Sequence, residues 1–163
     1  MNVRARSACI TAEQIMKTLL AASVLFISST APAQHAGTDQ ENKQQVTRLA
    51  FIVGDWAGKG WMLGRDGEKQ PFTQTETIRF KLDSTAVLIE GEGRHEGAVI
   101  HDALAIITYD KGAGAYSFHS HLANGRTGKF KAELIDDRLF WYPGESMRYI
   151  IGINDQGQWY ETG

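Results

Sequence analysis

The chain has 163 residues, a length typical of a single domain, and a formal net charge of −2 at pH 7. This mildly acidic balance argues against a nucleic-acid-binding protein, because such proteins present a basic patch to the phosphates. The single cysteine, Cys9, precedes the part of the sequence that is expected to fold. Internal disulfides, thiolate metal sites and cysteine nucleophiles are therefore excluded from that part.

Residues 16–33 have the three-part pattern of a secretory signal peptide. Met16 and Lys17 precede an apolar run over residues 18–27, and Ala31-Pro32-Ala33 forms a small-x-small cleavage site. The run is shorter than the roughly 20 apolar residues that cross a bilayer. We therefore expect residues 1–33 to be removed after Ala33, with Met16 as an alternative start. The product would be periplasmic or secreted, without a membrane span.

One short helix is predicted at the start of the remaining segment. Thr38 and Glu41 have the spacing of a capping box, in which Thr38 is the N-cap. Apolar residues follow at helical spacing: Val46, Leu49, Ala50 and Val53. The pattern predicts a helix over about 39–50.

After this helix, short segments rich in β-branched and aromatic residues alternate with turns containing Gly, Asp, Asn or Pro. Nine strands are predicted: 56–63, 73–82, 87–94, 101–109, 115–122, 127–135, 138–142, 146–153 and 158–161. The pattern favours one all-β domain over 34–163, an antiparallel meander that closes as a barrel or packs as a sandwich. The last predicted strand ends near Gly163, so either nine strands close the barrel or a final strand is missing, and we favour the second.

The order of helix, Gly54-Asp55-Trp56 and first strand resembles the start of lipocalins and their calycin relatives. The stretches Ile106–Asp110 and Ile151–Glu161, with Tyr116, are similar to the bacterial DUF1579 family. The resemblance implies a lipocalin-like barrel that holds a ligand, in which Trp56 plugs the closed end. It also implies one further strand after the final Trp-x-Glu, and it transfers no catalytic residue.

The turn at Asn124-Gly125 decides which side chains face the interior. A two-residue turn would pair His119 with Phe130, whereas a three-residue loop would pair Phe118 with Phe130 instead. Assumed lengths for the other loops then assign an inner and an outer face to each neighbouring strand. The predicted ligand-binding residues on the inner wall are then His101, His119, His121, Phe130, Leu139, Trp141 and Arg148.

Two kinds of chemistry follow from this wall. His101, His119 and His121 have the pattern of a three-histidine zinc site with an activating water, although the same pattern also fits solvated outer-wall histidines or a polar ligand pocket. Arg148 could clamp a ligand carboxylate, or it could lie outside and pair with Glu133 or Glu145.

Carboxylates on adjacent predicted strands, Glu76, Glu90 and Glu92, could pair for acid–base chemistry, but we favour a solvated outer face for them. No Ser-His-Asp spacing, phosphate loop or nucleotide motif is evident. The favoured function is therefore an exported barrel that binds an apolar or amphipathic small molecule in its lumen. The alternatives are a metal- or histidine-dependent hydrolase or isomerase, and a haem-binding barrel. The sequence assigns no catalytic residue and names no cofactor or oligomeric state.

Overall fold

The computed structural model describes residues 37–64 and 66–163, so the predicted signal peptide, its cleavage site and Cys9 lie outside the described residues. The helix α1 spans Gln40–Thr47 and continues into a 3-10 segment, Arg48–Ile52. The strands are β1 Gly54–Leu63, β2 Lys69–Lys81, β3 Ala86–His95, β4 Ala98–Asp110, β5 Ala115–Leu122, β6 Thr127–Ile135, β7 Arg138–Gly144, β8 Met147–Ile153 and β9 Trp159–Thr162. Within the described ranges, no helix is long and apolar enough to cross a membrane.

The helix forms as predicted, but its cap differs by one residue. Asp39 is the N-cap, and its side chain accepts a hydrogen bond from the amide of Asn42. Aspartate caps a helix at least as well as threonine does. Thr38, the predicted N-cap, instead donates its hydroxyl to Asp83 at 2.6 Å. The predicted capping box is therefore wrong, although the helix itself is confirmed.

All nine predicted strands are confirmed, and together they form an antiparallel meander. Each strand pairs with the next in the order β1 to β9, so the sheet curls into a nearly closed barrel. Such a meander needs only short hairpin connections, which the Gly-, Asn- and Asp-containing turns provide. The barrel class expected from the sequence is thus the class that the structure shows.

The helix and the 3-10 segment cover one end of the barrel. Val46, Leu49 and Ile52 are fully buried against the strand core. The Trp56 indole donates to the carbonyl of Ile52 at 2.9 Å, and the Tyr116 hydroxyl donates to the carbonyl of Gln45 at 2.8 Å. This end is therefore closed by apolar packing and two hydrogen bonds from side chains to the backbone. The opposite end carries the β1–β2, β3–β4, β5–β6 and β7–β8 hairpins.

The register at Asn124 differs from the prediction. Leu122 donates its amide to the carbonyl of Arg126, which closes a three-residue loop in which Gly125 has a φ of +84°. Phe118 therefore pairs with Phe130, and His119 pairs with Lys129. A one-residue change in loop length turns every following side chain to the other face. The longer loop buries the Phe118 ring, which is only 5% exposed, and leaves the imidazoles outside.

The connection between β7 and β8 differs in the same way. The predicted two-residue turn at Pro143-Gly144 would pair Leu139 with Arg148, but Leu139 pairs with Ile151. The two-residue turn lies at Glu145-Ser146 instead, and an irregularity between Trp141 and Gly144 adds one residue to β7 and shifts the ladder by one position. Arg148 consequently faces outward, and Tyr149 and Ile151 take the inner positions. By contrast, the predicted pairs of Leu134 with Leu139 and of Ala132 with Trp141 are confirmed.

Candidate functional site

The inner wall of the barrel has a packed half and an accessible half. Toward the closed end, Val87, Ile107 and Leu139 are fully buried and fill the lumen with side chains. Toward the open end, the inner side chains are only half-buried, as at Phe72, His101 and Ser120. The accessible half is therefore the part of the lumen that could receive a small molecule.

Four of the seven predicted ligand-binding residues lie on the inner face. Phe130, Leu139 and Trp141 belong to the core or pack against it. His101 pairs with Gly93, and a β-carbon added at Gly93 would lie 3.1 Å from that of His101. This contact shows that His101 shares the inner face with its neighbours there.

The other three predicted residues lie on the outer face. His119 pairs with Lys129, His121 pairs with Thr127 and is exposed, and Arg148 is also exposed. The three histidines are therefore not brought together. In residues 37–64 and 66–163, no group of three or more His, Cys, Asp or Glu side chains could hold a metal ion. The inward positions expected for His119, His121 and Arg148 are wrong, because they depended on a two-residue turn at Asn124-Gly125 and on a turn at Pro143-Gly144. The alternatives, outer-wall histidines and an outward Arg148, agree with the register.

Glu76 is an inner-wall residue that the sequence analysis assigned to the outer face. It pairs with Gly91 on β3, and only 8% of its surface is exposed. Its Oε1 accepts a hydrogen bond of 2.9 Å from Nε2 of Gln74. Its Oε2 is buried without a hydrogen-bond partner in the described part of the chain. A buried carboxylate oxygen without a partner is costly, so its presence on a lumen wall points to a function.

Gly91 provides the space that this carboxylate occupies. A β-carbon at Gly91 would lie 2.6 Å from each oxygen of Glu76, closer than non-bonded atoms approach. Gly93 does the same for Gln74, whose Oε1 would lie 2.6 Å from an added β-carbon. The two glycines of β3 therefore create a niche on the wall in which Glu76 and Gln74 lie side by side.

A second carboxylate belongs to the same lumen. Glu161 on β9 pairs with the inner residue Ile151, and its Oε1 accepts a hydrogen bond of 2.9 Å from Nε1 of Trp141. The residue as a whole is exposed, because β9 is an edge strand, but its carboxylate lies among the side chains of the inner wall. Glu161 is thus an acid at the border between the lumen and solvent.

Burial controls the protonation of both acids. Burial raises the pKa of Glu76 to about 7, the Gln74 hydrogen bond opposes this, and the negative charge of Glu161 adds to it. Burial also raises the pKa of Glu161, and the hydrogen bond from Trp141 works against that rise. Because Glu161 is exposed as a residue, solvent at the edge strand lessens the effect of burial on it.

An aromatic stack forms the wall beside Glu161. The Trp141 ring is stacked on Phe118 at 4.5 Å and on Tyr149 at 4.6 Å, with interplanar angles of 3° and 14°. Phe130 contacts the same indole at 5.5 Å in a tilted arrangement. The stack fixes the direction of the indole N–H and so the position of the Glu161 carboxylate.

The sequence contained a signal for the inward position of Glu76. Side chains along a strand alternate between its two faces. Glu76 lies on the same face of β2 as Ile78 and Phe80, both of which face the core, and Thr75 and Thr77 lie on the other face. The alternation was visible, but the general preference of carboxylates for water outweighed it. Gly91, directly opposite Glu76, was the second signal, since glycine within a strand often marks a close approach.

The comparisons add no named relative. No protein-family model, no curated protein and no solved structure matches this chain. The site is therefore interpreted from its own geometry.

Proposed function

We propose that this chain is a small-molecule-binding barrel that holds an amphipathic ligand in the accessible half of its lumen. The observation that carries the proposal is the composition of the inner wall. The wall combines an aromatic stack built around Trp141 with a buried carboxylate, Glu76, that has an oxygen without a partner among the described residues. Ligand sites typically combine an apolar wall with a few polar groups placed in it.

The nearly closed antiparallel barrel supports this proposal, because such barrels enclose small ligands when side chains do not fill the lumen. The resemblance of Gly54–Trp56 and Ile151–Glu161 to lipocalins and to the DUF1579 family favours the same function. We also propose that the protein is exported after cleavage behind Ala33. N-terminal sequencing of the secreted or periplasmic protein should then begin at Gln34.

The test uses 1-aminoanthracene, a neutral aromatic dye whose fluorescence increases in apolar surroundings. Ala103 lies on the inner face opposite Gly91, and its neighbour Leu104 lies on the outer face opposite Glu90. Ala103→Trp should block the lumen and abolish the fluorescence increase, whereas Leu104→Trp, the matched control, should retain it. Equal dye binding by both variants, or no dye binding by the wild type, would contradict the proposal.

A further inference from the structure

This inference rests on the proposed function and concerns the polar group of the ligand. The starting observation is that one oxygen of Glu76 has a partner and the other has none. Oε1 accepts from Gln74, and Oε2 is buried without a partner among the described residues. A buried charge is stabilised only when a counter-charge or hydrogen-bond donors meet it. The group that Oε2 lacks is a donor, and a cationic donor would satisfy it best.

The sign of the lumen's charge leads to the same conclusion. Glu161 adds a second carboxylate to the wall, and it is close enough to raise the pKa of Glu76. Along the nine described strands, the register places no lysine or arginine on the inner face; Arg79, Lys129, Lys131 and Arg148 all take outer positions. The electrostatic potential of the lumen is therefore negative, and it opposes a ligand carboxylate.

The surrounding wall fits the rest of an amine ligand. Trp141 lies between Phe118 and Tyr149 and donates its indole N–H to Glu161, so an apolar face and an acid are held together. Because Phe118 and Tyr149 cover the indole, the stack offers the apolar part of a ligand a packed aromatic wall, and the ammonium group is left to the carboxylates. The Glu76 carboxylate is held on this wall because it occupies the space that a β-carbon at Gly91 would take.

We propose that the lumen recognises a primary amine, whose ammonium group binds to Glu76 Oε2 with Glu161 as the second counter-charge and whose apolar part lies against the aromatic stack. An inward Arg148 would instead have selected a ligand with a carboxylate. The ligand carries a positive end rather than a carboxylate.

The experiment compares three probes of equal chain length by calorimetry and by displacement of 1-aminoanthracene at pH 8: decylamine, decanol and decanoate. Hydrogen bonds to charged groups correspond to about a tenfold to hundredfold gain in affinity, so wild-type protein should prefer decylamine over decanol by roughly that factor. It should bind decanoate more weakly than decanol. Glu76→Gln, which keeps the shape and removes the charge, should abolish the preference for decylamine.

The matched control is Glu90→Gln, because Glu90 is an exposed carboxylate on the outer face of the neighbouring strand. This variant should keep the wild-type preference. Wild-type protein that binds decanol and decylamine equally would overturn the amine assignment and leave the lumen function intact. Failure to bind any of the three probes, together with failure of the Ala103→Trp comparison, would instead overturn the proposed function.

A second measurement decides the case if Glu76→Gln does not fold. In wild-type protein, lowering the pH from 8 to 5 protonates Glu76, while decylamine stays charged because primary amines have a pKa near that of lysine, about 10.4. The other titratable groups on the inner wall are His101, Tyr109, Tyr116, Tyr149 and Glu161. A proton gained by any of these groups likewise makes the lumen less negative. The preference for decylamine must therefore decrease, and an unchanged preference would overturn the assignment.

Discussion

Asp55 and Glu76 are carboxylates on neighbouring strands, but they lie on opposite faces of the barrel wall and differ in every electrostatic property. Asp55 lies outside, opposite Thr77, and receives two hydrogen bonds of 2.6 Å from Arg79. The hydrogen bonds from Arg79 hold the pKa of Asp55 below its ordinary value. Glu76, one position from Thr77, lies inside with a single neutral partner, and its pKa is raised to about 7.

This comparison shows that the face of a strand, more than the residue type, determines what a carboxylate can do. On the outer face, solvent and Arg79 satisfy the charge, and such exposed pairs contribute little to stability. On the inner face, the charge is only partly satisfied, so the ionised form of Glu76 destabilises the barrel. The predictions below test this difference between the two faces.

The largest difference is expected between neighbouring apolar residues of β7. Leu139 is fully buried on the inner face, whereas Phe140 is half-buried on the outer face. Leu139→Ala should lower the free energy of unfolding by about 3 kcal/mol, because it leaves a cavity in the core. Phe140→Ala should cost less than half as much in the same urea titration. Equal losses would show that the inner and outer faces have been assigned incorrectly.

Replacing the lumenal acid should stabilise the protein. Glu76→Gln should raise the free energy of unfolding at pH 8 by about 2 kcal/mol, because a buried, partly unpaired charge is removed while the Oε1 acceptor for Gln74 remains. Thermal and urea unfolding at pH 8 would measure the change. A destabilised Glu76→Gln protein at this pH would contradict the assignment of Glu76 as an unsatisfied acid.

The same acid should make wild-type stability depend on pH. The pKa of Glu76 is raised from 4.5 to about 7 on folding, so between these values the folded state binds more protons than the unfolded chain. The free energy of unfolding should therefore decrease as the pH rises from about 4.5 to 7, by at most about 3 kcal/mol, since one pKa unit corresponds to about 1.4 kcal/mol.

Glu76→Gln should remove this component of the pH dependence, and the control Asp55→Asn should leave it unchanged. Because the pKa of Asp55 is lowered, its contribution is lost only as the pH falls through the acidic range below about 4. A pH profile between 5 and 8 that is identical in wild type and Glu76→Gln would exclude a strongly perturbed Glu76.

A smaller effect is expected from the niche itself. Gly91→Ala should cost about 1–2 kcal/mol, because the added β-carbon would meet both oxygens of Glu76 at 2.6 Å and must push the carboxylate aside. Gly58→Ala is the control, since nothing lies within 4 Å of its added β-carbon. Combining Gly91→Ala with Glu76→Ala should recover much of the loss, and strict additivity in that double-mutant cycle would argue against the contact.

The sequence predicted the elements better than it predicted their register. All nine strands follow from local alternation and turn residues, and such signals lie within about ten residues of each other. The side-chain face, however, depends on a difference of one residue in a loop or within a strand. The three-residue loop at Asn124 and the irregularity after Trp141 were enough to turn His119, His121 and Arg148 outward. No local pattern distinguishes a two-residue turn from a three-residue loop at Asn124-Gly125, because glycine serves both.

The site was predicted only in part for the same reason. Phe130, Leu139 and Trp141 were assigned to the correct face because apolar alternation and the confirmed pairing of β6 with β7 supported them. His101 reached the correct face only because two errors of register cancelled: it was placed on the same face as His121, but His121 lies outside and pairs with the outer residue Leu104. Glu76 was missed because its burial depends on Gly91 across the strand pair, which is a tertiary relation. The pattern that would have identified Glu76 is a carboxylate that lies on the same strand face as two core residues and opposite a glycine.

The most direct measurement is the titration of the two acids by carboxyl carbon-13 NMR, with Glu76→Gln and Asp55→Asn used to assign the resonances. The account predicts that Glu76 titrates with a midpoint near 7 and that Asp55 titrates below its ordinary value. Addition of decylamine should lower the midpoint of Glu76 and leave that of Asp55 unchanged. A Glu76 carboxylate that titrates near 4.5, and does not respond to decylamine, would contradict both its burial in the lumen and its role as an anchor.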